Sequence, residues 1–243
     1  MLVIKIADIA IGLDNRYEFI EDFVADYLSD ETPEFTVCAT DEDIEAERKI
    51  AEANYPSDYL ESIVMYRKIA EKLSQYEALV FHGAVIELDG KAYAITAHSG
   101  VGKTTHVRLW LREFGDRVRI LNGDKPVLRV IDGKIYACGT PWRGKEHYGV
   151  NAMRELAGIA FLNRGVENRA YKTDSKSVTL KFMNQIYLGK KDALMLSRTM
   201  RLADKILKCV PLYELECNMN QEAARVAYRA FKGEDKNGSE ELI

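Results

Sequence analysis

Apolar and polar positions along the chain switch repeatedly between a period of two and a period near 3.6, the pattern of an α/β protein. Leu2–Ile11 reads as a strand. Arg16–Leu28 is apolar at Phe19, Ile20, Phe23, Val24 and Tyr27, a helical spacing, and Phe35–Ala39 is a short strand. Thr40 with Asp43 predicts a capping box opening a charged helix through Ala53. Pro56 and Ser57 start another helix, with Tyr59, Ile63, Tyr66, Ile69, Ala70 and Leu73 on one face. Ala78–Leu88 is a strongly apolar strand, Asp89-Gly90 a tight hairpin turn and Lys91–Thr96 the returning strand. After a loop, a helix runs from Thr104 to Phe114. Val118–Leu121 and Val127–Ile131 predict strands, and Asp132-Gly133 turns the second of these into Lys134–Cys138. Gly139–Gly149 is a polar, glycine-bearing loop and Ile159–Leu162 a strand. Helices are expected at Ser177–Leu188 and Asp192–Cys209, a late strand at Leu212–Cys217 and a last helix at Gln221–Lys232. The polar tail from Gly233 is expected to fray.

The 243 residues fit one large α/β domain or one domain with an appendage, taken here as an α/β extension over 1–76, a larger domain over 77–232 and the tail over 233–243. No apolar run approaches the ~18 residues that cross a bilayer, and Met1–Ile11 carries Lys5 and Asp8, unlike a signal peptide. A cytoplasmic protein without a membrane partner is expected. The net charge of −4 and the absence of a basic block point away from nucleic acid. Cys38, Cys138, Cys209 and Cys217 lack CxxC spacing and read as buried free thiols rather than as a metal or redox site. A homo-oligomer is left open.

The chemistry concentrates at Ala97-His98-Ser99-Gly100-Val101-Gly102-Lys103-Thr104, which has the spacing G-x-x-x-x-G-K-[ST] with Ala97 at the first glycine position. Gly100 and Gly102 can turn backbone N–H groups inward around phosphate oxygens. The following helix aims its N-terminus at the same place. Residues His98–Thr105 are therefore the expected nucleotide cradle: His98, Ser99, Gly100, Val101, Gly102, Lys103, Thr104 and Thr105. Lys103 reaches the β and γ phosphates, and the Thr104 hydroxyl can ligate Mg²⁺.

In order and spacing, His82-Gly83-Ala84-Val85-Ile86, Asp89-Gly90 and Ser99–Thr104 resemble the HPr kinase/phosphorylase catalytic domain, a family that shares a fold with phosphoenolpyruvate carboxykinase. Asn122-Gly123-Asp124-Lys125-Pro126 resembles the family's acidic segment, ordinarily an Asp-Asp pair. Pro141-Trp142-Arg143-Gly144-Lys145 resembles a motif of HPr-kinase-like proteins of unassigned substrate. The resemblance covers Glu77–Ala230. It implies a mixed-sheet P-loop kinase core of the HPr kinase/PEP carboxykinase type behind a small α/β N-terminal extension. Gly123 stands where the first Asp of the pair would be, and the family's acidic-Ile-Arg-Gly-Leu-Gly signature is absent, so HPr is not the expected acceptor.

The resemblance implies an ATP-dependent, Mg²⁺-dependent phosphotransferase acting on a hydroxyl, either a serine of a small protein or peptide or a small-molecule hydroxyl. Asp124 would activate that hydroxyl or hold the metal. His82 would orient Asp124 or touch the γ-phosphate. Arg143 and Lys145 would donate to the transferring group or to an anionic acceptor. Trp142 lines the pocket or anchors its loop, and Arg164 offers a further positive charge. Two alternatives remain: a nucleotide sensor without turnover, and a carboxykinase-like enzyme, for which no convincing cluster of Mn²⁺ ligands is visible.

Overall fold

Among the described residues, three turns with two consecutive residues at positive φ set the local pairing. Asp89-Gly90 (φ 52° and 76°) and Asp132-Gly133 (φ 48° and 80°) adopt the left-handed conformations that match the twist of a hairpin. The third, Ala7-Asp8 (φ 51° and 59°), contains no glycine. It splits the strand expected over Leu2–Ile11 into an antiparallel hairpin of β1 (Leu2–Ile6) and β2 (Ile9–Asp14). The computed structural model describes residues 1–189 and 192–234. Most of the tail expected to fray, from residue 235 on, lies outside them.

β3 (Phe35–Cys38) joins β2 in parallel and completes a three-stranded sheet. Between them, α1 (Phe19–Phe23) is far shorter than Arg16–Leu28. The backbone amides of Arg16 and Tyr17 donate to the buried Glu61 carboxylate at 2.8 and 3.2 Å, so the first turn expected there never forms. α2 (Asp41–Ile50) opens on the expected capping box of Thr40 and Asp43, but ends before Ala53 because Ala51 is extended. α3 (Ser57–Leu73) follows.

The apolar run Ala78–Leu88 is likewise two strands, β4 (Ala78–Val80) and β5 (Ala84–Leu88). At the break, the amides of Phe81, His82 and Gly83 donate to Pro126, Gln185 and Asp124 carbonyls instead of to a sheet partner. A Cβ on Gly83 would sit 2.5 Å from the Phe81 ring, so the kink needs glycine. β6 (Lys91–Thr96), α4 (Lys103–Phe114), β7 (Val118–Asn122), β8 (Val127–Ile131) and β9 (Lys134–Cys138) lie where expected to within a residue or two. β10 (Met153–Arg164) is three times the length expected, since Arg154 and Glu155 disguise its first half. Both are satisfied by charged neighbours, Glu87 and Lys91. β11 (Arg169–Thr173) was not expected; its mostly polar, largely exposed sequence has no apolar alternation to read. α5 (Ser175–Met183), α6 (Ala193–Cys209), β12 (Leu212–Cys217) and α7 (Glu222–Lys232) complete the chain.

β10 joins two sheet halves. Its first three residues pair antiparallel with β9, continuing the β4-β8-β9 meander. Its remainder runs parallel to β6 on one side and β12 on the other. β7 is antiparallel to β5, and β5 to β6, so β6, β7, β10 and β12 all point their carboxyl ends the same way. One core brings the sheet together with α5 and α6, and a second with α4 and α7, where Trp110, Tyr93, Tyr228 and Phe231 interlock. A third core is shared: residues of the three-stranded sheet and α3 pack with Val80, Val127, Cys138 and Trp142. Of the four thiols only Cys138 and Cys217 are buried; Cys38 and Cys209 are exposed, against expectation. Among the described residues, no helix is long and apolar enough to cross a membrane.

Candidate active site

In an open α/β sheet, ligands bind beyond the carboxyl ends of the strands. Here that edge carries Thr96 at the end of β6, Asn122 at the end of β7 and Arg164 at the end of β10. The loop between β6 and α4 holds Gly100 at φ 78° and Gly102 at φ 128°. At either glycine, no atom lies within 4 Å of where a Cβ would be, so the backbone is open to approach. α4 begins at Lys103 without a side-chain cap and without an acidic residue in its first turn. Its first amide donors are therefore left for an external acceptor.

Lys103 is half-buried and donates to the Ala97 carbonyl at 3.2 Å, folded back over its own loop. Burial pulls its pKa below the ordinary lysine value, against the pull of the Asp124 charge. The exposed Thr104 and Thr105 line the same cleft as Ser99, Gly100, Gly102 and Lys103. The His98 and Val101 side chains do not: His98 is exposed, its carbonyl accepting from the Val101 amide, and Val101 packs toward the α4–α7 core. Arg164 donates to the Gly100 and Val101 carbonyls at 2.5 and 3.2 Å. It braces the loop rather than offering a free charge.

Asp124 lies across the cleft. Its Oδ1 is 3.3 Å from His82 Nε2, with Lys125 Nζ at 3.4 Å from Oδ2. Burial works to raise the carboxyl, but the His82 hydrogen bond and the Lys125 charge outweigh it and hold Asp124 below the ordinary carboxylate range. The break between β4 and β5 is what presents His82, whose carbonyl also accepts from the Thr96 hydroxyl at 2.8 Å.

The turn that carries Asp124 is set by Asn122, which has no separate role among the residues expected from the motifs. Its side chain is fully buried. Its Oδ1 accepts from the Asp124 and Lys125 amides at 2.8 and 2.7 Å. Its Nδ2 donates to Thr140 and to the Trp142 carbonyl. An Asn two residues before the Asp in a Gly-containing turn is the available sign of such a side-chain-closed turn. Gly123 is held equally closely: a Cβ there would lie 3.2 Å from the Arg143 carbonyl and 3.3 Å from Tyr148 Cβ. Loop packing leaves little room for a larger side chain at this position.

The Gly139–Gly149 loop faces both sides. Trp142 is an anchor: its Nε1 donates to the Ser62 carbonyl at 3.0 Å and its ring packs against Phe23 and Tyr66. Arg143, expected to donate to the phosphoryl group, borders the cleft but points its Nη2 at a carboxylate. Its Nη2 is 2.6 Å from Asp26 and its guanidinium lies over Tyr27. Lys145 is exposed on the cleft and has no carboxylate within ion-pair distance among the described residues. Glu146 pairs with Arg108 of α4 at 2.7 Å, tying this loop to the helix. His106 in that helix, buried and pushed down to about 4 by its burial, accepts from Trp110 and is structural.

The cleft has a volume of about 1280 Å³. Its far wall comes from the first 76 residues: Phe19 and Phe23 of α1, Tyr55, and Tyr59, Ile63 and Tyr66 of α3. The apolar face expected on this helix is split between core and cleft. Ile69, Ala70 and Leu73 are buried, whereas Tyr59, Ile63 and Tyr66 are half-buried and border the cleft.

No protein-family model and no curated protein matches the chain. Among solved structures, the chain is similar to the HPr(Ser) kinase/phosphatase from Coxiella burnetii, with a TM-score of 0.37 and 9% identity over 64% of this chain and 95% of that one. The likeness is distant, and the functional reading rests on the geometry of the cleft.

Proposed function

We propose that the chain is an ATP-dependent phosphotransferase that moves a γ-phosphoryl group to a hydroxyl. The observation that carries this reading is a juxtaposition. One cleft holds an uncapped helix start behind two open, positive-φ glycines, the Lys103 ammonium, and a carboxylate 3.3 Å from a histidine nitrogen. Phosphoryl transfer needs those parts and little else.

The amides of the Ser99–Gly102 loop and of the first turn of α4 bind phosphate oxygens, and Lys103 exchanges the Ala97 carbonyl for a phosphate. Asp124 takes the proton of the acceptor hydroxyl as that oxygen bonds to phosphorus and the bridging oxygen departs with the diphosphate. His82 holds the Asp124 carboxylate in place. Thr104 and Asp124 offer hard oxygen donors suited to Mg²⁺. No group of three His, Cys, Asp or Glu residues among the described residues could hold a metal alone, which suits an ion that arrives bound to phosphate and keeps several waters. Such an ion supplies neutralisation of phosphate charge. Arg143 has no step, since Asp26 holds it; Lys145 remains available to an anionic group.

Lys103→Ala tests the donor half. Magnesium–ATP affinity, measured by calorimetry, is expected to fall on the order of tenfold or more; unchanged affinity would contradict the site. The packing around Gly123 also favours a second reading, a nucleotide sensor that binds without turnover. ATP binding with no labelled phosphate reaching any component of a cell extract would select it.

A further inference from the structure

We propose that the aromatic wall contributed by the first 76 residues is the acceptor subsite, and that it takes a hydroxyl carried beside a bulky aliphatic or aromatic group. This rests on the phosphotransferase reading and names its acceptor class.

Three observations carry it. First, the cleft of about 1280 Å³ exceeds the roughly 300–1,000 Å³ of a site for one small ligand. A phosphate donor at the β6–α4 loop leaves space, and that space lies toward α1 and α3. Second, the wall there is apolar. Phe19, Phe23, Tyr55, Tyr59, Ile63 and Tyr66 all border the cleft, none of them fully buried. Half-buried aromatic groups converging on one concave surface present a face that an apolar ligand group can cover. Third, the two arginines that border the cleft are each paired with a carboxylate. Arg67 is clamped by Glu47 at 2.7 and 2.8 Å, and Arg143 by Asp26. The wall itself thus favours an apolar group, and Lys145, on the opposite loop of the cleft, is left to the phosphate donor.

The wall also faces the right carboxylate. Asp124 lines the same cleft, and its charge is felt at the phenols of both Tyr59 and Tyr66. Tyr59 and Tyr66 are seven residues apart on α3, on one face of the helix. Trp142 packs on Tyr66, and its loop is tied through Asn122 to the Asp124 turn. The acceptor wall and the proton acceptor are therefore fixed relative to one another through the buried Thr140 and Trp142.

The test is binding to the full chain, so it does not depend on turnover. Three acetylated, amidated heptapeptides are titrated, each with a central serine flanked on both sides by leucine, glycine or aspartate; glycerol is the polyol control. Leucine-flanked serine is expected to bind at least tenfold tighter than the other two. Tyr59→Ser and Phe19→Ser are each expected to erase most of that preference, with circular dichroism and Tm confirming that the variants fold. Equal affinities, no binding of the leucine peptide, or a preference that survives both substitutions would overturn the proposal. Selective binding with no phosphate transfer to the bound peptide would uphold the subsite and count against the phosphotransferase reading alone.

Discussion

Two loops border the cleft, and they are built in opposite ways. The loop from Ala97 to Gly102 has few ties of its own: the Val101 amide to the His98 carbonyl, Lys103 folded onto Ala97, and Arg164 braced on two carbonyls. Its glycines face open space. The loop from Gly139 to Gly149 is held from every side, by Asn122, by Ser62, by Asp26 and by Arg108. Its glycines are crowded: a Cβ on Gly139 would lie 1.9 Å from the Val150 carbonyl oxygen. Backbone groups left open are a place for a ligand; backbone groups already satisfied are a scaffold. On the present reading the first loop waits for phosphate, and the second exists to fix Asp124.

The scaffold should break hardest. Asn122→Ala removes one side chain that closes the Asp124 turn and receives the Trp142 loop, leaving buried amides and carbonyls without partners. A loss of ~2–4 kcal/mol in unfolding free energy is expected by denaturant titration. A loss within ~0.5 kcal/mol would show that the scaffold is not held there.

The open loop should break differently. Gly102→Ala forces a Cβ onto a backbone at φ 128°, a strain of roughly 1–3 kcal/mol. With nothing within 4 Å to clash, the loop can relax away from that conformation. Phosphate affinity is expected to fall more than global stability does. Equal losses would mean that the loop is structural like its neighbour.

The smallest effect concerns pH. Phosphate needs protonated Lys103, and burial holds its pKa below the ordinary 10.5. Affinity for inorganic tripolyphosphate should therefore begin to fall, on alkaline titration, before an ordinary lysine would lose its proton. A fall that begins only at the ordinary lysine value would indicate a fully hydrated lysine, and affinity that stays flat beyond it would show that phosphate binding does not depend on this charge.

The difference between the loops also explains what could be read from the sequence. The open loop was legible because its requirements are local: small residues, a lysine and a hydroxyl at fixed spacing between a strand and a helix. Asp124 and His82 were legible through their order along the chain. The scaffold was not. That Arg143 pairs with Asp26 and Trp142 with Ser62 depends on contacts across 117 and 80 residues, which no local pattern encodes. The β4–β5 break at Phe81–Gly83 was hidden for a related reason: its amides are satisfied by Pro126, Gln185 and Asp124, all distant in sequence. The length of β10 was masked by charges whose partners lie on β5 and β6. The far wall of the cleft was not foreseen, because helical periodicity reports which residues share a face, and not what that face meets.

The central claim, that Asp124 serves an acceptor hydroxyl in front of a nucleotide held by the open loop, is tested most directly by Asp124→Asn. Transfer of labelled γ-phosphate and magnesium–ATP affinity should be measured on the same preparation. The account predicts transfer reduced on the order of 100-fold or more, with nucleotide affinity changed only a few-fold. Transfer at the wild-type rate in the variant would contradict it.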